Sequence, residues 1–128
     1  MAAPSNLGTS VLVVEDDPDA REALCDLLQS WGAQVSEAAD GAEALRRIED
    51  APPDLALVDL GLPGIDGLEV ARRARGTEQG RKPFLVALTG YSDALARKAA
   101  EDAGFDLHLS KPVDPVALEK LLTRRRRR

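Results

Sequence analysis

The sequence predicts an α/β domain in which one parallel sheet lies between layers of helices. Two observations carry this prediction: five short apolar segments alternate with five segments of helical periodicity, and most of the apolar segments lack polar interruptions. Continuous apolarity is typical of strands that are covered on both faces of a parallel sheet. Strand and helix in alternation indicate βαβ units with right-handed crossovers. At 128 residues the chain is long enough for one such domain and too short for two.

The predicted strands occupy residues 11–14, 34–38, 55–58, 84–88 and, on a weaker signal, 106–109. The strand at 34–38 alternates polar and apolar residues, which favours a position at the edge of the sheet. The remaining strands are expected to be buried on both faces.

Apolar residues recur at helical spacing after each strand. The five predicted helical faces are Ala20, Leu24, Leu27, Leu28 and Trp31; Ala42, Leu45 and Ile48; Leu68, Ala71 and Ala74; Ala96, Ala99, Ala100 and Ala103; and Val116, Leu118, Leu121 and Leu122. The first four faces are followed by Gly32, by Pro52 and Pro53, by Gly76 and by Gly104. Glycine and proline are common helix stops, and Asp114 before Pro115 is typical of a helix start.

Composition excludes several classes of protein. The net charge is −5, but five of the 17 basic residues form the terminal run 124–128, so the remainder carries 12 basic and 22 acidic residues. Such an acidic body argues against nucleic-acid binding. One His and one Cys cannot form a closed zinc site, and Cys25, one residue past Leu24, is expected off the apolar face of its helix. Because no signal peptide is present and no apolar run approaches about 20 residues, we expect a cytoplasmic protein without membrane contact.

Polar side chains gather where the predicted strands end. Glu15, Asp16 and Asp17 follow the first strand, Asp59 the third, Thr89 the fourth and Lys111 the fifth. In open α/β sheets, ligands bind beyond the carboxyl ends of the strands. Clustered carboxylates repel one another unless a cation or a proton neutralises them, and Mg²⁺ prefers oxygen ligands that include phosphate. The sequence therefore predicts a cleft for Mg²⁺ and a phosphoryl group.

Asp59 is the predicted nucleophile of this cleft, because a carboxylate can itself accept a phosphoryl group. The one histidine, His108, argues against a hydrolytic triad. Lys111 can neutralise phosphate charge, and the Thr89 hydroxyl can donate a hydrogen bond to a phosphoryl oxygen. No P-loop or dinucleotide-binding motif is present, so the phosphoryl group is expected to come from another molecule.

Four short motifs together point to a known family. They are VVEDD at residues 13–17, VDLGLPGIDG at 58–67, LTG at 88–90 and LSKP at 109–112. In this order and at this spacing they resemble the response-regulator receiver domain of two-component signalling, over residues 10–122. The resemblance implies a flavodoxin-like doubly wound (βα)5 sandwich of three layers, with strand order 2-1-3-4-5 and a cis bond before Pro112. It divides the chain into a flexible N-terminus at 1–9, a receiver domain at 10–123 and a basic tail at 124–128.

The resemblance also implies a role for each residue of the cleft. Asp59 would accept a phosphoryl group from a phosphohistidine on a histidine kinase or a histidine phosphotransfer protein. Asp16 and Asp59 would bind Mg²⁺ directly, Glu15 would act through water, and the backbone carbonyl of Gly61 would complete the metal shell. Asp17 would be a neighbour of the acidic pair and no member of it. The lysine at 111 would bind phosphate.

A switch and a modulating residue are implied in the same way. Thr89 would move towards the phosphoryl group and alter the surface formed by the fourth helix, fifth strand and fifth helix. The family commonly has Tyr or Phe at the switch position of the fifth strand, where this sequence has His108; a half-buried strand histidine without a signalling role is the alternative. Tyr91 could overhang the site and restrict water, or be an exposed loop residue.

Several alternatives stay open at this point. A phosphohydrolase of the haloacid-dehalogenase type also uses an aspartate nucleophile with Mg²⁺, but it needs a second Asp where this chain has Gly61. A degenerate receiver that only binds partners usually loses the acceptor or the lysine, and Asp59 and Lys111 are both present. We expect a signalling phosphoacceptor with no separate enzymatic activity, as a monomer or weak dimer, either stand-alone or from a hybrid kinase. No DNA-binding output domain is expected, the downstream target is unknown, and the basic tail is either a solvated end or a docking segment.

Overall fold

The computed structural model describes residues 8–76, 83–90 and 94–126. Five strands alternate with five helices along the chain. In order they are β1 (Ser10–Val14), α1 (Pro18–Ser30), β2 (Gln34–Ala38), α2 (Gly41–Asp50), β3 (Leu55–Asp59), α3 (Gly67–Arg75), β4 (Phe84–Thr89), α4 (Ala94–Ala103), β5 (Leu107–Ser110) and α5 (Pro115–Arg126). None of the helices described is long and apolar enough to cross a membrane.

The sheet is parallel throughout, in the order β2-β1-β3-β4-β5, which confirms the predicted fold class and topology. The bounds of β2 are those predicted, and each bound of the other four strands lies within one residue of its prediction. The expected burial of the fifth strand on both faces is wrong: β5 is an edge strand of the sheet, and Leu107 is 41% exposed. The reversal of strand order between β1 and β3 creates a crevice at the carboxyl edge of the sheet, where ligands of such folds bind. The topology therefore brings the ends of β1, β3, β4 and β5 to one place.

Side chains of each central strand point alternately into two apolar layers. Leu12 and Val14 of β1 pack with α2, α3 and α4, whereas Val11 and Val13 pack with α1 and α5. All five residues of β3, including Asp59, are buried. Burial of each large aliphatic side chain stabilises the fold by about 1.5–3 kcal/mol. The core is thus built on both faces of a strand that ends at the predicted nucleophile.

Three predictions about helical faces are wrong. Cys25 is only 5% exposed and lies in the core beside Leu28, because the buried side of α1 is centred one residue later than the Leu24 stripe suggested. Burial raises the pKa of the Cys25 thiol to about 11. In α2 it is Ala44 that is buried while Ala42 is exposed, and in the first turn of α5 Val116 is 57% exposed.

Four aspartates cap the N-termini of helices. The carboxylates of Asp17, Asp40 and Asp66 accept backbone N–H bonds from the first turns of α1, α2 and α3 at 2.8–3.3 Å. Asp114 accepts from the N–H of Val116 at 3.0 Å, as its predicted role at a helix start requires. Part of the excess of acidic residues is therefore structural, and Asp17 belongs to this group.

A guanidinium ties together the edge of the sheet opposite the crevice. From the end of α3, Arg75 donates to the carbonyl oxygens of Gly104 at 2.9 Å and Pro83 at 3.1 Å, and it pairs with the carboxylate of Asp106. Asp106 in turn accepts from the N–H of Leu85 at 2.8 Å. Asp106 consequently precedes β5, although the sequence placed it within that strand.

Candidate functional site

The polar residues predicted to meet do so at the carboxyl edge of the sheet. Asp59 and Thr89 are the last residues of β3 and β4, while Glu15 follows β1 directly and Lys111 follows β5 directly. The backbone closes around them, since the N–H of Lys111 donates to the carbonyl of Thr89 at 2.8 Å. The Lys111–Pro112 bond is cis, as the resemblance implies.

Three carboxylates form the centre of the site. One oxygen from each of Glu15, Asp16 and Asp59 lies within 4.8 Å of the other two. Glu15 is 2% exposed and Asp59 is 7% exposed, whereas Asp16 is exposed at the mouth of the site. Two acidic groups are thus taken out of water beside a third that remains in contact with it.

The ammonium of Lys111 bridges the two buried carboxylates. Its Nζ lies 2.9 Å from Oε1 of Glu15 and 3.1 Å from Oδ2 of Asp59. The other oxygen of Asp59, Oδ1, accepts from the backbone N–H of Gly61 at 3.0 Å. Glu15 accepts from the N–H of Asp17 at 3.3 Å through Oε2. The one ammonium of Lys111 therefore faces a cluster that carries up to three negative charges.

The two buried carboxylates respond to this environment in opposite directions. Burial raises the pKa of Glu15 above its usual value, against the pull of Lys111, and the adjoining Asp59 adds to the rise. For Asp59, burial acts in the same direction, but the N–H of Gly61 and the contacts with Glu15 and Lys111 leave its pKa below its usual value. Burial would lower the pKa of Lys111, yet the two carboxylates raise it. At neutral pH the arrangement thus favours an ionised Asp59 facing a charged Lys111.

The donor set of this cluster fits a hard divalent cation. Its ligands are carboxylate oxygens, the excess negative charge is uncompensated by Lys111 alone, and the exposed side at Asp16 admits the waters that Mg²⁺ retains. A Cβ built at position 61 would meet only Oδ1 of Asp59, at 3.7 Å. The flank of Asp59 is accordingly open.

A cavity of about 280 Å³ lies beside Asp59 on the α4 side. Its lining includes Gly61, Thr89 and Ala99, and Thr89 itself is only 3% exposed. The cavity offers room next to Asp59, the predicted nucleophile, into which a small group can fit.

The other predicted site residues are His108 and Tyr91. His108 is half-buried in β5 and pairs in register with Ala87 of β4. Tyr91 lies outside the described residues, as do residues 1–7 of the predicted N-terminal segment and the last two arginines of the tail.

Two residues that matter to the site were missed from the sequence. Arg21 of α1 donates to the carbonyl oxygen of Glu15 at 2.8 Å and forms an ion pair with Glu37 at 2.9 Å. Gly67 was recognised only as the last residue of the motif at 58–67, yet a Cβ there would lie 2.6 Å from the carbonyl oxygen of Asp59. Helical periodicity identifies apolar faces, and it carries no signal for a polar residue that reaches a neighbouring loop.

Comparison with known proteins agrees with the geometry. Residues 11–123 match the family described as the response regulator receiver domain. An uncharacterised 14.6 kDa protein of Leptolyngbya boryana is 40% identical over 112 residues, which cover 88% of this chain and 86% of that protein. Response regulator MprA of Mycobacterium tuberculosis is 43% identical over 94% of this chain. The match covers 50% of the length of MprA, so the chain spans half of that protein.

Two solved structures show the same architecture. The receiver domain of sensor histidine kinase PA1611 from Pseudomonas aeruginosa PAO1, which has a magnesium ion coordinated in its active-site cleft, superposes with a TM-score of 0.86 at 33% identity, covering 94% of this chain and 99% of that one. The receiver domain of Ssk1 from Saccharomyces cerevisiae, crystallised with the histidine phosphotransfer protein Ypd1, gives 0.83 at 26% identity, covering 96% and 90%. On this fold and this match, the chain belongs to the response regulator receiver domain family.

Proposed function

We propose that this chain accepts a phosphoryl group on Asp59, with the help of Mg²⁺, from a phosphohistidine of a partner protein. The observation that carries the proposal is the cluster of Glu15, Asp16 and Asp59 around the ammonium of Lys111 at the carboxyl edge of the sheet. Asp59 is buried at the end of a strand that is itself buried throughout, so its carboxylate is held in one place. The site can therefore orient a nucleophile without a further catalytic base.

In the proposed reaction an oxygen of Asp59 attacks phosphorus while the bond from phosphorus to the donor nitrogen breaks, and the electron pair stays on that nitrogen. Lys111 balances charge on the phosphoryl oxygens, and Thr89 donates its hydroxyl to one of them. When bound, Mg²⁺ supplies further positive charge to the phosphoryl oxygens. Asp16 and Asp59 would hold it directly, with the carbonyl of Gly61 and, through water, Glu15.

An apolar groove beside the site supports a protein as the donor. A cavity of about 600 Å³ separates α1 from the segment after β5, and its lining is mostly apolar, with Leu24, Leu27 and Val113 among the side chains. Glu15 and Lys111 border the same cavity. A helix of a histidine kinase or histidine phosphotransfer protein that fills this groove would bring a phosphohistidine to Asp59. The related Ssk1 receiver was crystallised with a partner of the second kind.

The phosphoryl group is proposed to act as a switch through Thr89, which lines the same cavity next to α4 as Asp59 does. A shift of its hydroxyl towards the phosphoryl oxygens would change the packing of α4 and β5 and favour one of two conformations of that surface. His108 of β5 is the proposed relay, in a half-buried position. We expect a signalling phosphoacceptor that is a monomer or weak dimer and binds no nucleic acid, with Tyr91 as a modulator of phosphoryl lifetime.

The same residues disfavour the two other functions considered. Gly61 provides no carboxyl where a haloacid-dehalogenase-type hydrolase needs its general acid, and its small size leaves the flank of Asp59 open. A receiver that only binds partners has no need for a lysine within 3.1 Å of the acceptor carboxylate. We accordingly propose no second function.

The proposal predicts that acetyl phosphate and Mg²⁺ convert the protein into a species heavier by one phosphoryl group in an intact-mass measurement. Chelation of Mg²⁺ with EDTA should suppress the adduct by at least about a hundredfold in rate, because the buried carboxylates then repel the incoming phosphate. Ca²⁺ is a control for non-specific screening, since its longer bonds and looser geometry fit a magnesium site poorly. An adduct that forms equally fast in EDTA would contradict the proposed role of the metal.

A further inference from the structure

We infer that Arg21 is a positioning residue for the metal site, because it fixes the main chain that carries Glu15 and Asp16. Its guanidinium donates from Nη1 to the carbonyl oxygen of Glu15 at 2.8 Å and from Nε to Oε1 of Glu37 at 2.9 Å. The inference rests on the metal-binding role proposed above for Glu15, Asp16 and Asp59.

The backbone of Glu15 is held from both sides. Its N–H donates to the carbonyl of Ala38 in β2 at 3.1 Å, and its carbonyl accepts from Arg21 of α1. The peptide group between Glu15 and Asp16 carries that carbonyl, so a rotation of this peptide would displace both carboxylates relative to Asp59. Groups outside a metal's ligand shell that fix its ligands commonly change metal affinity by ten- to a hundredfold. Arg21 is such a group for the proposed metal site, because it fixes the backbone of Glu15.

The contact differs in kind from the ion pairs on the helix surfaces. Arg47 pairs with Glu43 one turn away on the same helix, at 3.5 Å and with side chains that are 45% and 34% exposed. Arg21 instead joins α1 to β2 and to the loop after β1, and its side chain is 20% exposed. Exposed ion pairs contribute little to stability. What distinguishes Arg21 is the bond to the backbone of a site residue.

Electrostatics and positioning predict opposite effects of removing Arg21. The guanidinium is a positive charge near a cation site, so its loss alone would increase the affinity for Mg²⁺. Loss of the backbone contact would instead let the loop after β1 move and would decrease the affinity. The direction of the change therefore separates the two explanations.

The test is a calorimetric titration of the intact chain with Mg²⁺ alone, at a temperature where circular dichroism shows each variant to be folded. Arg21→Ala is expected to bind Mg²⁺ about tenfold more weakly than the wild type. Arg47→Ala, the matched control, should bind like the wild type. In acetyl phosphate reactions, Arg21→Ala should need about tenfold more Mg²⁺ for half of the maximal rate and should reach the wild-type maximal rate, a split that general destabilisation would not produce.

Two further variants test the charge at position 21 and the metal site itself. Arg21→Lys keeps the charge but has no fork to serve both acceptors, so an affinity loss of about threefold is expected, and it replaces Arg21→Ala if that variant is unfolded. Asp16→Asn should lose most Mg²⁺ binding; if it binds like the wild type, the proposed metal site itself fails. If Asp16→Asn loses binding while the Arg21 variants bind Mg²⁺ as tightly as the wild type or more tightly, the inference about Arg21 alone is overturned.

Discussion

Asp59→Asn should carry no phosphoryl adduct after an incubation with acetyl phosphate and Mg²⁺ that labels the wild type. An amide lacks the anionic oxygen that attacks phosphorus, and it also removes one charge from the metal site. The other carboxylates of the cluster are poor substitutes, since Glu15 is held by Lys111 with its pKa raised. Intact mass of both proteins after the same incubation gives the answer directly. We expect at least a thousandfold loss of rate, on the order of what removing a nucleophile costs.

Asp66→Asn is the matched control for this substitution. The substitution likewise turns a carboxylate into an amide, but at a residue a few positions away. The carboxylate of Asp66 accepts from the N–H of Glu69 at 2.9 Å at the start of α3. Asn closes helix N-termini about as well as Asp, so the fold should be unaffected. The control variant should be labelled like the wild type. A comparable adduct on Asp59→Asn would refute the assignment of the acceptor.

Gly67→Ala should destabilise the protein by about 1–3 kcal/mol, the usual cost of forcing a methyl group into a packed region. A Cβ at this position would lie 2.6 Å from the carbonyl oxygen of Asp59, 2.9 Å from Cα of Leu60 and 3.1 Å from its Cδ2. Two of these atoms belong to the backbone and cannot rotate away. Relief of glycine's entropy in a helix would return at most about 1 kcal/mol, so the steric term is the larger of the two.

Urea unfolding followed by circular dichroism measures this loss, and Gly61→Ala supplies the comparison. At position 61 the nearest atom to an added Cβ is 3.7 Å away, an ordinary contact, so we expect a change within about 0.5 kcal/mol. Because the clash at position 67 falls on Asp59 itself, Gly67→Ala should also slow phosphorylation. Equal stability of the two variants would mean that α3 does not approach β3 as closely as described.

Much of the fold was predictable because the sequence patterns are strong and local. Continuous apolarity identified β1, β3 and β4, and the alternating segment gave the edge strand β2. The errors fall where periodicity is read one residue out of phase, as for Cys25 in α1, or where an apolar residue occupies a first turn that the core does not reach, as for Val116. The start of β5 was misjudged because Asp106 pairs with Arg75.

The candidate site was predictable for a different reason. Parallel strands end at one edge of a sheet, so residues that follow the apolar segments must meet, and Glu15, Asp59 and Lys111 do lie in contact. What the sequence could not give is which residues hold that edge in place. The long side chain of Arg21 reaches the loop after β1. Gly67 has no side chain, which lets the start of α3 lie against Asp59 and Leu60. Such contacts depend on three-dimensional distance alone.

The structure also separates the acidic residues into two groups, which composition alone cannot do. Part of the acidic excess closes helices, as with Asp40 and Asp66, and part forms the cluster with Lys111. The first group is already satisfied by backbone N–H groups. The second carries more negative charge than its single ammonium balances, and this difference underlies the proposed affinity for Mg²⁺.

Identification of the modified residue shows whether Asp59 itself carries the phosphoryl group. Borohydride reduces an aspartyl phosphate to homoserine, so the protein is treated with acetyl phosphate and Mg²⁺, reduced at once, digested and sequenced by tandem mass spectrometry. We expect homoserine at position 59, dependent on acetyl phosphate and suppressed by EDTA. An unmodified Asp59 in fully phosphorylated protein, with the label on another residue, would contradict it.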